Sequence, residues 1–324
     1  MICRLPIILA IMFAIAAPCA HAADRIRIAV QKTGTLAWEL EIIKAHELDK
    51  KAGLDLQTTE LASTEAGKIA LKGGAADIIL SDWLWVARER ALGDALAFYP
   101  YSSTLGAVMV PAQSSIRTID DLKGKTIAVA GGPIDKSWLL LQAFARRSGL
   151  DLRKQANPVY GAPPLLSQKA LHGEFDATLT FWNFCAELEG KGFKRAVAMD
   201  EVMKGLGAKG AAAIVGYVFD EGWAAHNLSA VGRFLKMALE AKEILAASDA
   251  DWQRLAARIG TTDGATLAIY RRHYAEGIPR RLIAEEAADA KTLYRVLADI
   301  GGHDLVGPAK ELDAGTFYRP IRGD

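Results

Sequence analysis

At 324 residues, 51% hydrophobic and 24% charged, the chain exceeds one ordinary domain of about 100 to 200 residues and is too apolar to be disordered. A formal net charge of +1 leaves no basic excess for nucleic acid or an anionic membrane surface. Of its three cysteines, Cys3 and Cys19 sit near the N-terminus and leave Cys185 alone, which excludes a disulfide-stapled scaffold.

In chain order, residues 1–4 supply a short positive region, 5–17 an apolar stretch too short to span a bilayer, and Ala20-His21-Ala22 a small-residue cleavage site. This pattern predicts a signal peptide over 1–22, cleaved near Ala22, and a mature protein in the periplasm. A retained anchor is the alternative. Arg4 leaves with the leader, so basic and acidic residues are then equal in number.

The mature chain opens with the strand-like Ile28-Ala29-Val30 and a turn over 31–35, and a helix follows over 38–51, stopped by Gly53. Residues 54–61 alternate as a strand, 63–71 read as a helix, 77–80 as a short buried strand, and Ser81-Asp82 caps a helix over 83–91. Strands alternating with such helices predict a parallel α/β sheet. The Tyr-Pro-Tyr-Ser-Ser run at 99–103 breaks the alternation and suits a first crossing to a second lobe, and 106–110 resumes as a strand.

The second lobe is built around 121–144. A turn at Lys123-Gly124-Lys125 leads to a buried strand over 126–130, which Gly131-Gly132-Pro133 ends, and Asp135 caps a helix over 136–147. This repeats the design of the first strand-turn-helix unit. A strand at 157–160, a helix at 163–172, a strand at 177–180 and a further helix complete the lobe, and a strand over 211–219 makes the return crossing. Beyond residue 221 the apolar spacing is helical at 230–247, 252–259, 265–275 and 284–300, which predicts a helical cap on the first lobe.

Where a parallel strand hands over to a helix, backbone N–H groups and the helix dipole face one space, the usual place for a ligand in an open α/β sheet. Trp38, Trp83, Trp138 and Trp182 all fall just after strand ends, so an aromatic cleft is expected there. The candidate contacts at these ends are Gln31, Thr33, Gly34, Thr35, Trp38, Ser81, Asp82, Trp83, Gly131, Gly132, Ser137, Trp138, Thr180, Trp182 and Asn183. Most of the polar ones are neutral hydrogen-bonding groups, which suit binding better than catalysis. Asp82 either caps its helix or faces a positive group on the ligand.

No pair of histidines has metal-ligand spacing, and there is no Gly-x-Ser-x-Gly elbow or Cys-x-x-Cys pair, so neither a metal, a cofactor nor a catalytic set is expected. Cys185 reads as buried packing, with a nucleophile as its alternative.

The segments IRIAVQKTG (26–34), GGAADIILSD (73–82), IDDLKGKTIAVAG (119–131) and GYVFDEGW (216–223) resemble the periplasmic substrate-binding proteins of ABC importers, in the nitrate, sulfonate and taurine family. The resemblance covers about 25–247. It implies a two-lobed periplasmic binding protein fold of type II, with the leader at 1–22, lobe 1 from 23–103 and 221–324, and lobe 2 from 104–220. It also implies a monomer that hands one small solute, of sulfonate, nitrate, aromatic or zwitterionic type, to a membrane permease and its ATPase. The alternatives are an enzyme on the same fold, of the thiamine-pyrimidine or dehydratase kind, and a periplasmic accessory protein.

Overall fold

The computed structural model describes residues 23–32, 34–309 and 311–320; the expected leader and Thr33 lie outside the described residues. The first unit runs β1 (Asp24–Gln31), α1 (Thr35–Ala45), α2 (Leu48–Lys51), β2 (Leu54–Leu61), α3 (Thr64–Lys72), β3 (Ile78–Asp82), α4 (Trp83–Ala91) and β4 (Leu96–Ser102). The helix expected over 38–51 is two helices, because Glu47 adopts a left-handed φ of 54° between them. The second unit runs β5 (Gly106–Pro111), β6 (Thr126–Ala130), α5 (Lys136–Arg147), α6 (Leu152–Gln155), β7 (Asn157–Gly161) and α7 (Pro163–Leu171). It continues through β8 (Ala177–Phe181), α8 (Trp182–Gly190), β9 (Phe193–Ala198) and α9 (Met199–Gly205). The chain then returns as β10 (Val215–Asp220), followed by α10 (Glu221–His226), α11 (Leu228–Ala247), α12 (Asp249–Ile259), α13 (Gly264–Glu276) and α14 (Ile283–Val306).

Two five-stranded sheets result, ordered β2-β1-β3-β10-β4 and β7-β6-β8-β5-β9. They are mixed and not purely parallel, since β10 runs antiparallel to β3 and β4, and β5 antiparallel to β8 and β9. The antiparallel members are the two strands that follow crossings, so each enters its sheet from the opposite end. Residues 96–102 form a strand despite Pro100, because β4 is the outermost strand of its sheet and an edge tolerates a missing N–H. The tail covers that edge: Phe98 N–H donates to Thr316 O, and Tyr318 N–H to Phe98 O, both at 2.8 Å.

Register fixes where the chain passes between the sheets. Val215 lies opposite Asp82 and Ser102, the last residues of β3 and β4, and Gly106 lies opposite Phe181, the last residue of β8. Both crossings therefore run along the edge where the β1, β3, β4, β6 and β8 strands end. Gly106 is required there. Its φ is 139°, and a Cβ would stand 2.0 Å from the Thr180 carbonyl oxygen.

The C-terminal helices do not cap lobe 1 alone. Helix α11 packs on α1, but α13 packs on α8 and α14 packs on both α4 and α5. Leu267, Tyr270 and Tyr274 of α13 share a core with Trp182 and Ala186. Leu293, Tyr294 and Leu297 of α14 share one with Trp83 and Trp138. Helical spacing identified the apolar faces; it carried no information on which lobe would cover them.

Candidate functional site

The strand ends of both sheets meet in an inter-lobe seam. From the first sheet come the N-terminus of α1, the end of β3 and the end of β4; from the second come the N-termini of α5 and α8. Trp38 and Trp182 meet edge-on across it, with ring centroids 5.8 Å apart and planes at 86°. Trp252 and Tyr270 also stand 5.8 Å from Trp38, so the expected aromatic character is present, supplied partly by the C-terminal helices.

Beside this cluster lies a cavity of about 10 Å³ walled by Thr35, Tyr101, Ser102, Trp182, Lys242, Tyr274, Gly277 and Ile278. That is room for one water. Thr35 Oγ1 and Tyr101 Oη are hydrogen-bonded at 2.9 Å. Behind the wall sits a buried charge network. Glu39 is wholly buried and accepts hydrogen bonds from Tyr217 Oη at 3.1 Å, from Tyr274 Oη and from the Lys242 ammonium. Lys242 Nζ lies 3.7 Å from the centroid of the Tyr101 ring. Burial lowers the Lys242 pKa, and Glu39 only partly offsets that. The three tyrosines are pushed well above their ordinary value by burial and by the Glu39 carboxylate.

A second polar group joins α4 to α5. Asp82 Oδ1 accepts the Trp85 N–H at 2.8 Å, as an N-cap should, while Oδ2 pairs with Lys136 Nζ at 2.8 Å. Asp82 thus makes the expected cap, and the cation beside it is Lys136 of this chain. Burial works to raise the Asp82 pKa, but Lys136 prevails and holds it below the ordinary value. Burial likewise works against the Lys136 charge, and Asp82 raises its pKa in spite of it. Asp135 caps α5 by accepting the Ser137 N–H at 2.9 Å, and its own pKa is raised by burial.

The remaining candidates divide by position. Gln31 donates to Thr64 Oγ1 at 2.8 Å and, with Gly34, lines a separate pocket of about 40 Å³ between β1, β3 and α3. Ser81 and Thr180 are buried at strand ends, and their hydroxyl oxygens have no hydrogen-bond partner. Gly131 and Gly132 have φ of 94° and 148°, forming the turn before the buried Ser137. Asn183 is half-buried on the first turn of α8. Trp83 and Trp138 are fully buried in the large core, Trp83 donating its indole N–H to Ala213 O at 3.0 Å. Glu39, Tyr101, Lys136, Lys242 and Tyr274 were not among the candidates. The sequence signal for Glu39 was slight, since it sits between Trp38 and Leu40 but Glu41 follows two positions on.

Cys185 is buried, with its thiol directed to Thr180 O at 3.4 Å, and burial pushes its pKa up to about 12. Such a thiol is not a nucleophile at neutral pH. Among the described residues, no group of three or more His, Cys, Asp or Glu is placed to hold a metal ion.

The family model described as NMT1/THI5 like matches residues 44–248, more than half of the chain. The chain belongs to the NMT1/THI5-like family. No curated protein matches it in sequence. Among solved structures, the periplasmic aliphatic sulphonate binding protein SsuA from Escherichia coli superposes with a TM-score of 0.73 at 21% identity, over 93% of this chain and 94% of that one. The alkanesulfonate-binding SsuA from Xanthomonas axonopodis pv. citri, bound to MOPS, gives 0.67 at 21% identity over 91% and 98%. The desulfurization enzyme DSZB shares the fold at 0.54 and 14% identity, over 89% and 97%. At these identities the likeness establishes the family's two-lobed α/β fold, a scaffold that carries both binding proteins and an enzyme.

Proposed function

We propose that this protein is a periplasmic solute receptor of an ABC importer, which captures one small molecule in the inter-lobe seam and passes it to a permease and its ATPase. The observation that carries this reading is the seam itself. Strand ends of both sheets converge there on paired indoles, neutral hydroxyls and the Lys242 ammonium, with the Cys185 thiol buried outside it. Such a wall recognises and encloses; it offers no activated nucleophile. The likeness to two sulfonate-binding proteins over nearly the whole chain supports a solute of that type, and the indoles favour one with an apolar or aromatic body. The leader pattern at 1–22 supports export, and the equal mature charges argue against nucleic acid as a partner.

The deciding experiment isolates the mature protein from its native periplasm under mild conditions, denatures it, and identifies released small molecules by mass spectrometry. One solute in stoichiometric amount is the expected result. Absence of a released solute, together with no heat of binding in titrations with taurine, an alkanesulfonate and nitrate, counts against the receptor. Turnover of an added substrate by the purified chain would establish the enzyme alternative.

A further inference from the structure

The two segments that carry the chain between the sheets lack regular structure: 103–105 joins β4 to β5, and 206–214 joins α9 to β10. In a two-lobed binding protein, bending concentrates in such segments. Here both are hydrogen-bonded to the C-terminal helices. On the first crossing, Ser103 N–H donates to Gly277 O, at the end of α13, at 2.8 Å. The approach is close enough that a Cβ on Gly277 would stand 2.6 Å from Thr104 Oγ1 and 3.0 Å from Ser102 Oγ. On the return crossing, the Asp289 carboxylate of α14 accepts the Lys209 N–H at 2.9 Å and the Gly210 N–H at 3.1 Å, and Glu286 accepts the Ala213 N–H at 2.8 Å. Arg281 holds Asp289 in place at 2.7 Å, and both acids are buried.

We propose that α13 and α14 form a splint across both crossings that holds the lobes at one separation in the unliganded chain, with Glu286 and Asp289 setting the stiffness of the return crossing. The physical reason is local. If the return crossing bends, three backbone N–H groups leave two buried carboxylates, which keep no other backbone donor and cannot reach water. The helices themselves contact both lobes, since α13 packs on α8 and α14 on α4 and α5, so neither lobe swings without dragging the splint. Lobe opening therefore requires release of the splint, which makes the C-terminal helices part of the gate. This inference goes beyond the receptor reading and does not depend on it, because its test uses the unliganded chain.

The test places spin labels at Thr58→Cys on β2 and Val159→Cys on β7, both exposed on outer strands, while the buried Cys185 stays unlabelled. The parent is expected to show one narrow distance distribution. Glu286→Ala with Asp289→Ala, which removes the acceptors of all three N–H groups, should broaden it, with a population displaced by more than about 2 Å. Amide exchange at Lys209, Gly210 and Ala213 should quicken by about tenfold or more. Gly277→Val, which wedges the first crossing, should broaden the distribution as well. If circular dichroism shows the double variant unfolded, Asp289→Ala alone carries the distance readout and the exchange readout at Lys209 and Gly210. A broad distribution in the parent overturns the proposal. So does faster exchange at the three amides with an unchanged distance distribution, because α14 would then be a local support and not a splint.

Discussion

Replacing Lys242 by Met tests the charge network behind the cavity. The substitution keeps the aliphatic stem but removes the cation from a wholly buried Glu39. Loss of one member of a buried pair typically costs about 3–5 kcal/mol, because the remaining charge is left uncompensated. Tyr217 and Tyr274 still donate to the carboxylate, so the lower end, about 3 kcal/mol, is the expected loss. Glu39→Gln added to Lys242→Met removes the stranded charge while the amide oxygen keeps accepting from one of the two tyrosines, which donate to different oxygens of Glu39, and the other hydroxyl can accept from the amide NH2. The double variant should recover most of the stability and lie within about 1.5 kcal/mol of the parent. Urea unfolding followed by tryptophan fluorescence measures this, with equal slopes required for the comparison. A double variant as unstable as the sum of the two singles would refute the argument, since it would mean that Lys242 and Glu39 do not compensate each other.

Three further outcomes follow from the geometry. Cys185 should resist iodoacetamide at pH 8 and react only on unfolding, since its thiol pKa is about 12; labelling of the native protein would show that the site is open. Burial, reinforced by the Arg195 charge, lowers the His273 pKa below 6.5, so the unfolded chain binds more protons in the window just below that value. The contribution of His273 is thus present above about pH 6.5 and lost as pH falls through its folded value; thermal melts from pH 7.5 to 5 should decline less steeply for His273→Gln than for the parent. Gly106→Ala should destabilise the fold by about 3 kcal/mol or more, because its Cβ collides with the Thr180 carbonyl at an unfavourable φ; a melting temperature equal to the parent's would contradict the crossing geometry.

Much of the fold was legible because its elements carry explicit end signals. The structure gives β2, β6, α4 and α5 the expected bounds, each flanked by a glycine turn or an acidic cap: Gly53, Gly131-Gly132, Asp82 and Asp135. Two strands escaped for equally local reasons, besides the short helices α6, α9 and α10. Strand β4 contains Pro100, and β9, with Lys194 and Arg195 at its centre, looks solvated because it is an outer strand covered only in part. In the seam, Thr35, Trp38 and Trp182 come together, and Asp82 meets Lys136. Trp83 and Trp138, equally close to strand ends in sequence, go to the core.

What the amino-acid order determined by itself was the alternation of strands and helices, their caps, and the placement of polar and aromatic residues at strand ends. These follow from side-chain periodicity and backbone conformation over a few residues. Tertiary structure alone decided the antiparallel entry of β5 and β10, the attachment of α13 and α14 to both lobes, and the joining of Glu39 to Lys242 across 203 positions of sequence. A buried charge can be stable only if its partner arrives from elsewhere in the fold, and local propensity does not encode that arrival.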